Sequence, residues 1–478
     1  MHARDKGTIT LVDDGTVTFN AGSHQTGYYI YGAGSSIIDN STSNQTVSTT
    51  DSTLYRVDGG AAFDGSSTNK SQMNATGDNS TIILTTDAGS SFNSGKLALS
   101  IMGEGSTGVR IEGGATGTIT ADADIVKVAG KGTTAGIVDG NYYGLDGEVV
   151  EAKKGESVLT SYATLETANT ADGAFGYIAR NGGTLNHKGT IDFDQSDSTG
   201  VLISGGTLNN DGDIQVNGVA VNIQGADSVV NNSATVSATD GTAAYLVGSD
   251  ASLKLTGEGQ TTADGTAHAI LLASGAKGLV VDGATITMAA GSSGNAIENQ
   301  ANLVGIQLKE THITVGNGIG VHTGASMAQT NSGTINVTGS GTGILFESMD
   351  GSQTDQTLDM SDSRDLVINV QQAGGKGIVT NSSADLKTGA SVNVLDSDGA
   401  EALVVGGTTK NIEQSGELTS VSTSHAVVDA DNGSLESFLN KGVIRALDAS
   451  QKRWKSLKGR ALPLPMPRKP ASPGWSIY

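Results

Sequence analysis

Apolar residues return along this chain in three columns, one triplet roughly every 22 to 27 residues. The first column runs Leu185, Leu208, Val230, Leu253, Leu279, Leu303 and Met327, then Leu386, Ile412 and Leu435. The second runs Ile191, Ile214, Val236, Ile286, Ile313, Ile335, Ile368, Val392, Leu418 and Val443. The third runs Val201, Val221, Ala244, Ile270, Ile297, Ile319, Ile344, Ile378, Leu403 and Val427. Around these positions apolar residues alternate with Thr, Asn, Asp and Gln, as in a strand with one face on a core and the other in water. A short repeat of this kind cannot bury its apolar face alone and does so by stacking on its neighbours. The pattern predicts an all-β fold, a right-handed, single-stranded parallel β-helix with about three strands per coil. About 15 to 18 coils fit into residues 1–450, on the order of 70–85 Å at ~4.8 Å per coil.

The same pattern divides the chain. Residues 1–112 are expected to form irregular N-terminal coils with longer loops, on strands at Thr8–Val12, Thr16–Phe19, Tyr28–Tyr31, Leu54–Val57, Thr81–Leu84 and Leu97–Ile101. Residues 113–450 form the regular β-helix. A charged insertion, Glu148–Glu156, interrupts it, and Ser157–Ala168 reads either as a short helix or as another irregular rung. Residues 347–363 widen one coil to about 33 residues, so a loop is expected to project there. Residues 451–478 break the pattern. All five prolines (463, 465, 467, 470 and 473) and both tryptophans lie there, with seven Lys/Arg and no acid. Proline cannot donate to a sheet ladder. The expectation is a basic, Pro-rich tail, disordered or read from a shifted frame, whose removal at Ser450 leaves the thermal midpoint unchanged.

Composition narrows the function. Glycine, at 68 residues, is about twice its usual share, and with Asn and Asp it supplies the corner conformations a solenoid needs. The net charge of −21 argues against nucleic acid or anionic lipid, which need Lys/Arg clusters. Zero cysteine removes thiolate catalysis, thiol redox chemistry and zinc–thiolate sites. No apolar run reaches the ~18 residues of a membrane-spanning helix. The opening Met-His-Ala-Arg-Asp-Lys has no apolar signal-peptide core and leads at once into Gly7–Val12. It fits either a cytoplasmic protein or part of a larger exported one, and we take the second as the expectation.

Four phrases carry a resemblance: Gly-Gly-Thr-Leu-Asn (182–186), Gly-Gly-Thr-Leu-Asn-Asn (205–210), Val-Val-Asn-Asn-Ser-Ala-Thr-Val (229–236) and Asn-Ser-Gly-Thr-Ile-Asn-Val (331–337). Over roughly residues 110–450 the chain resembles the passenger domain of AIDA-type autotransporters, the type V secretion adhesins of Gram-negative bacteria. The resemblance implies a right-handed β-helix displayed at the cell surface or outer membrane, or secreted. It implies attachment to host glycans, extracellular-matrix proteins or other bacteria, self-association and biofilm growth, with export through an outer-membrane β-barrel of the parent protein. The alternating strands of such a barrel are not found in this sequence, so the chain reads as a fragment of that parent. The ligand is not named by the resemblance.

Some β-helices are polysaccharide lyases or hydrolases, and such chemistry needs clustered carboxylates. Asp192, Asp194 and Asp197 lie close in sequence, as do Asp211 and Asp213, with Lys188 the one basic residue near them. Glycoside hydrolysis needs two opposed carboxylates in different environments. These aspartates sit among Ser, Gly and Asn and read as turns and surface charge. The histidines (2, 24, 187, 268, 312, 322 and 425) are expected at the surface, with His312 and His322 able to approach on adjacent strands. Gly205–Asp213 echoes a calcium-binding nonapeptide without its tandem repetition and reads as a corner. Asn186, Asn209 and Asn231 recur one coil apart and predict an asparagine ladder. Tyr28-Tyr29-Ile30-Tyr31 fits either a sugar-stacking platform or a cap on the first coil. The sequence thus assigns no catalytic, metal or cofactor residue and leaves binding residues unknown. It expects a non-enzymatic adhesin, with a polysaccharide-degrading enzyme and a non-binding stalk as the alternatives.

Overall fold

The computed structural model describes residues 1–447 apart from 20–21, 66–71, 122–125, 145–146, 169, 258, 348–356 and 397. The expected tail at 451–478 lies outside the described residues, as does most of the loop expected at 347–363. The structure comprises two compact units, Met1–Ala251 and Ser252–Tyr478. Both are parallel β-solenoids, with about 16 turns between them and no helix among the described residues.

In the first unit, Thr199–Ser204, Thr207–Asn210 and Asp213–Val216 follow one another along the chain. Each pairs in parallel with the strand one turn on: Val219–Gln224, Val229–Asn232 and Thr235–Thr239. The rest of each turn supplies the long connection that parallel pairing demands. The apolar columns stack as the sequence pattern requires. Leu185 pairs with Leu208 and Leu208 with Val230; Ile191 pairs with Ile214 and Ile214 with Val236. In the second unit one column runs Ile286, Ile313, Ile335, Ile368, Val392, Leu418 without a slip. These side chains are buried, each worth about 1.5–3 kcal/mol in apolar transfer.

Six column positions differ from expectation. Ile319, Ala244 and Val427 are not the third-column residues; Val321, Tyr245 and Val428 are, pairing with Ile297, Val221 and Leu403. Five turns of this sheet bury a small residue directly before the column residue, at Gly200, Ala220, Ala244, Ala296 and Gly320. A Cβ added at Gly200 would stand 2.6 Å from the carbonyl oxygen of Ala220, so the next coil's backbone approaches too closely for a large side chain. Leu303 falls in a turn between Asn299 and Gly305, and Ile306, fully buried and bridged to Met327, takes its place in the column. Leu435 is buried but lies opposite Thr409, while Phe438 continues the column from Ile412. Val443 is displaced by one residue; Ile444 pairs with Leu418. The gap between Val236 and Ile286 is bridged in the second unit by Thr261, buried opposite Ile286.

The N-terminal strands Thr26–Tyr31, Thr53–Asp58, Thr81–Thr86 and Thr107–Glu112 form one parallel ladder that continues past Gly113 to Thr134–Asp139. Thr16–Phe19 is not a strand; Val17 and Phe19 lie against Gly27. Ser157–Ala168 is the irregular-rung alternative rather than the helix, giving Val158–Ser161 and Thr164–Thr167. The charged insertion contributes an antiparallel pair, Tyr142–Tyr143 with Val149–Glu151.

Candidate functional site

The second unit presents one face on which side chains repeat in two outward rows. One row is Thr262, Thr287, Thr314, Asn336, Asn369, Asn393 and Thr419, each opposite the next across parallel strands. Beside it run Gln260, Thr285, His312, Thr334, Val367, Ser391 and Glu417. Outward Thr alternates with inward Ile and Val because β-branched residues suit both faces of a pleated strand. Asn369 Nδ2 donates to Asn336 Oδ1 at 3.0 Å, and Asn393 Nδ2 donates to Asn369 Oδ1 at 3.2 Å. In a chain carrying 49 Asp and Glu, the first of these rows carries no charge from Thr262 to Thr419. It is a flat surface of hydroxyl and amide groups repeating once per coil.

The first unit carries the ladder expected from sequence. Asn209 Nδ2 donates to Asn186 Oδ1 and Asn231 Nδ2 to Asn209 Oδ1, both at 2.8 Å. One residue further along each strand, a second, inward series was not anticipated: His187, Asn210 and Asn232. Asn210 Nδ2 donates to Asn232 Oδ1 at 2.7 Å, and its Oδ1 lies 2.6 Å from His187 Nδ1.

The aspartates singled out in the sequence do not converge. Asp192, Asp194 and Asp197 are exposed. Asp211, also exposed, accepts from Ser233 Oγ at 2.8 Å and from Lys188 Nζ at 3.2 Å, and these two hydrogen bonds hold its carboxyl below the usual range. Carboxylates and arginines meet elsewhere, beside the Tyr142–Tyr143 segment. Glu112 and Asp139 are buried opposite each other on adjacent strands. Asp139 accepts from Arg180 Nε at 2.5 Å, Tyr143 OH at 2.9 Å, Asn181 Nδ2 at 2.9 Å and the Asn141 N–H at 2.9 Å. Those four donors fill the acceptor sites of a carboxylate, so Asp139 anchors the insertion. Glu112 pairs with Arg110, yet burial pushes its carboxyl above the ordinary range.

Four histidines depart from the surface expectation. His187 is fully buried, and His268, His322 and His425 are half-buried. His312 and His322 do not approach each other: His312 Nδ1 lies 2.8 Å from Thr334 Oγ1, and His322 Nδ1 lies 3.0 Å from Glu298 Oε2. They belong to different sheets, a separation that linear spacing does not report. Burial acts to raise the Glu298 carboxyl, but hydrogen bonds from His322 and Asn295 outweigh it and hold it below its ordinary value. Among the described residues no group of three or more His, Asp or Glu is placed to hold a metal ion.

The tyrosine cluster divides by alternation. Tyr28 points inward and stacks on Tyr55 at 5.0 Å; Tyr29 stacks outside on His2 at 4.9 Å, and Tyr31 is exposed. Its strand pairs with His2–Ala3 on one edge and Thr53–Asp58 on the other, so it is an inner rung rather than the cap. Comparisons with protein-family models, curated proteins and solved structures return no match for this chain.

Proposed function

We propose that this protein is a fragment of an autotransporter passenger, a right-handed solenoid with three strands per coil that works as an adhesin. It is carried to the cell surface or secreted by the outer-membrane β-barrel of its parent, and attaches to host glycans, matrix proteins or identical molecules, without catalysis. The observation behind this reading is the uncharged Thr/Asn row from Thr262 to Thr419 with its companion row. Hydroxyl and amide groups at one-coil spacing offer donors and acceptors to an extended ligand over a long surface, and many weak contacts add through multivalency.

The test is binding of the purified protein to immobilised matrix proteins and to a glycan panel, with turnover of polysaccharides measured in parallel. The expected result is attachment without cleavage, lost in the double variant Thr314→Lys/Asn369→Lys while the unfolding midpoint stays close to that of the parent. Cleavage of a polysaccharide would establish the enzyme alternative, and no attachment to any surface would establish the stalk.

A further inference from the structure

Among the described residues of the first unit, one imidazole is sealed inside, that of His187. It is fully buried at the end of the strand Thr184–His187, between Val158–Ser161 on one side and Thr207–Asn210 on the other. Its proton can be placed from its partners. Asn210 uses its NH₂ group to donate to Asn232 Oδ1, so the Asn210 oxygen is the atom facing His187 Nδ1. An oxygen accepts; Nδ1 therefore carries the hydrogen of the neutral ring. That leaves Nε2 as a buried lone pair with no hydrogen-bond partner. Tyr177, whose ring lies 6.1 Å away, has its hydroxyl 2.5 Å from Ser161 Oγ. Asp211 and Asp213, the charged groups that act on the ring across the corner, are both exposed, and Lys188 beside it is committed to Asp211.

A second proton on this ring would create an N–H at Nε2 with no acceptor and place a charge in a fully buried position. Both are costly in a buried site. We propose that His187 makes the coils bounded by Val158–Ser161 and Val229–Asn232 an acid-sensitive opening point, closed while the ring is neutral and released when it takes up a proton. Burial holds the His187 ring below its ordinary value of 6.5 in the closed state. The sign follows from that direction: the open state binds the proton better, so closure is complete above about 6.5 and weakens as pH falls below it. One proton changes the opening equilibrium by up to about tenfold per pH unit in that window.

Hydrogen exchange of the full chain at pH 7.5 and 5.5, corrected for intrinsic rates, tests this. Peptides covering 158–161, 184–187 and 207–210 are expected to lose protection severalfold, by up to about tenfold, at pH 5.5, while those covering 53–58 and 81–86 keep it. His187→Asn continues the Asn210–Asn232 series with a group that does not titrate, and it should remove the pH dependence. Titration of the wild-type ring by NMR gives a readout that needs no variant: its midpoint should fall below 6.5. Protection unchanged between the two pH values, the same loss in His187→Asn, or a ring titrating at or above its ordinary value would each overturn the proposal.

Discussion

Asn209 and Asn210 are neighbours in sequence and differ only in which way they face. Asn209 lies on the outer ladder, where Asn186 and Asn231 can turn to water if it is removed. Asn210 is buried, and its loss strands His187 Nδ1 and removes one of the two donors to the oxygen of Asn232. Asn209→Ala should cost about 0.5–1 kcal/mol and Asn210→Ala about 1–3 kcal/mol by urea denaturation. Equal costs would mean that the inner series carries no weight. The outer ladder was legible in the sequence because its residues recur one coil apart. The inner one was not, since its members are a histidine and two asparagines that resemble any other polar corner when read one at a time.

At the level of the strand, the alternation of facing residues was readable wherever it held strictly. The column from Ile286 to Leu418 came out correct because no strand along it slips. The third column failed at Ala244 and Ile319 because the strands there bury a small residue, Ala244 and Gly320, directly before the column residue, and at Val427 because two adjacent valines are both buried. A reading tuned to large apolar residues at period two cannot see a position reserved for glycine or alanine. That requirement can be measured. Gly200→Val would drive its side chain against the Ala220 carbonyl and the side chains of Ile214 and Val216. Backbone cannot move aside as a flexible side chain can, so the expected loss is about 1–3 kcal/mol in urea midpoint analysis. A neutral result would show that the coils have room to separate. The anchor of the insertion at Glu112, Asp139 and Arg180 was invisible for another reason: its residues lie on three successive strands, and only pairing brings them together.

For the molecule as a whole, contacts run from each coil to its neighbours, so damage should stay near where it is made. Ile335 is fully buried between Ile313 and Ile368. Ile335→Asp removes its packing, worth about 2–5 kcal/mol for truncation alone, and adds a buried unpaired charge. Hydrogen exchange should rise in the strands at 311–315, 332–337 and 365–370, and stay unchanged at 36–41 and 53–58. Uniform loss across the chain would argue for global cooperativity instead. The insertion between Gly140 and Gly155 has a consequence of a different kind, in the entropy of closing a loop. It stretches one coil so that Gly114 bonds to Ser157, 43 residues away, where Asn210 and Asn232 are only 22 apart. Closure entropy grows with the logarithm of length, so this near-doubling costs only about 0.6 kcal/mol. One buried leucine offsets it, at about 1.5–3 kcal/mol. A coil can therefore acquire or shed a projecting segment with little effect on its stacking, which leaves the surface of the solenoid free to diversify while the interior columns are held fixed.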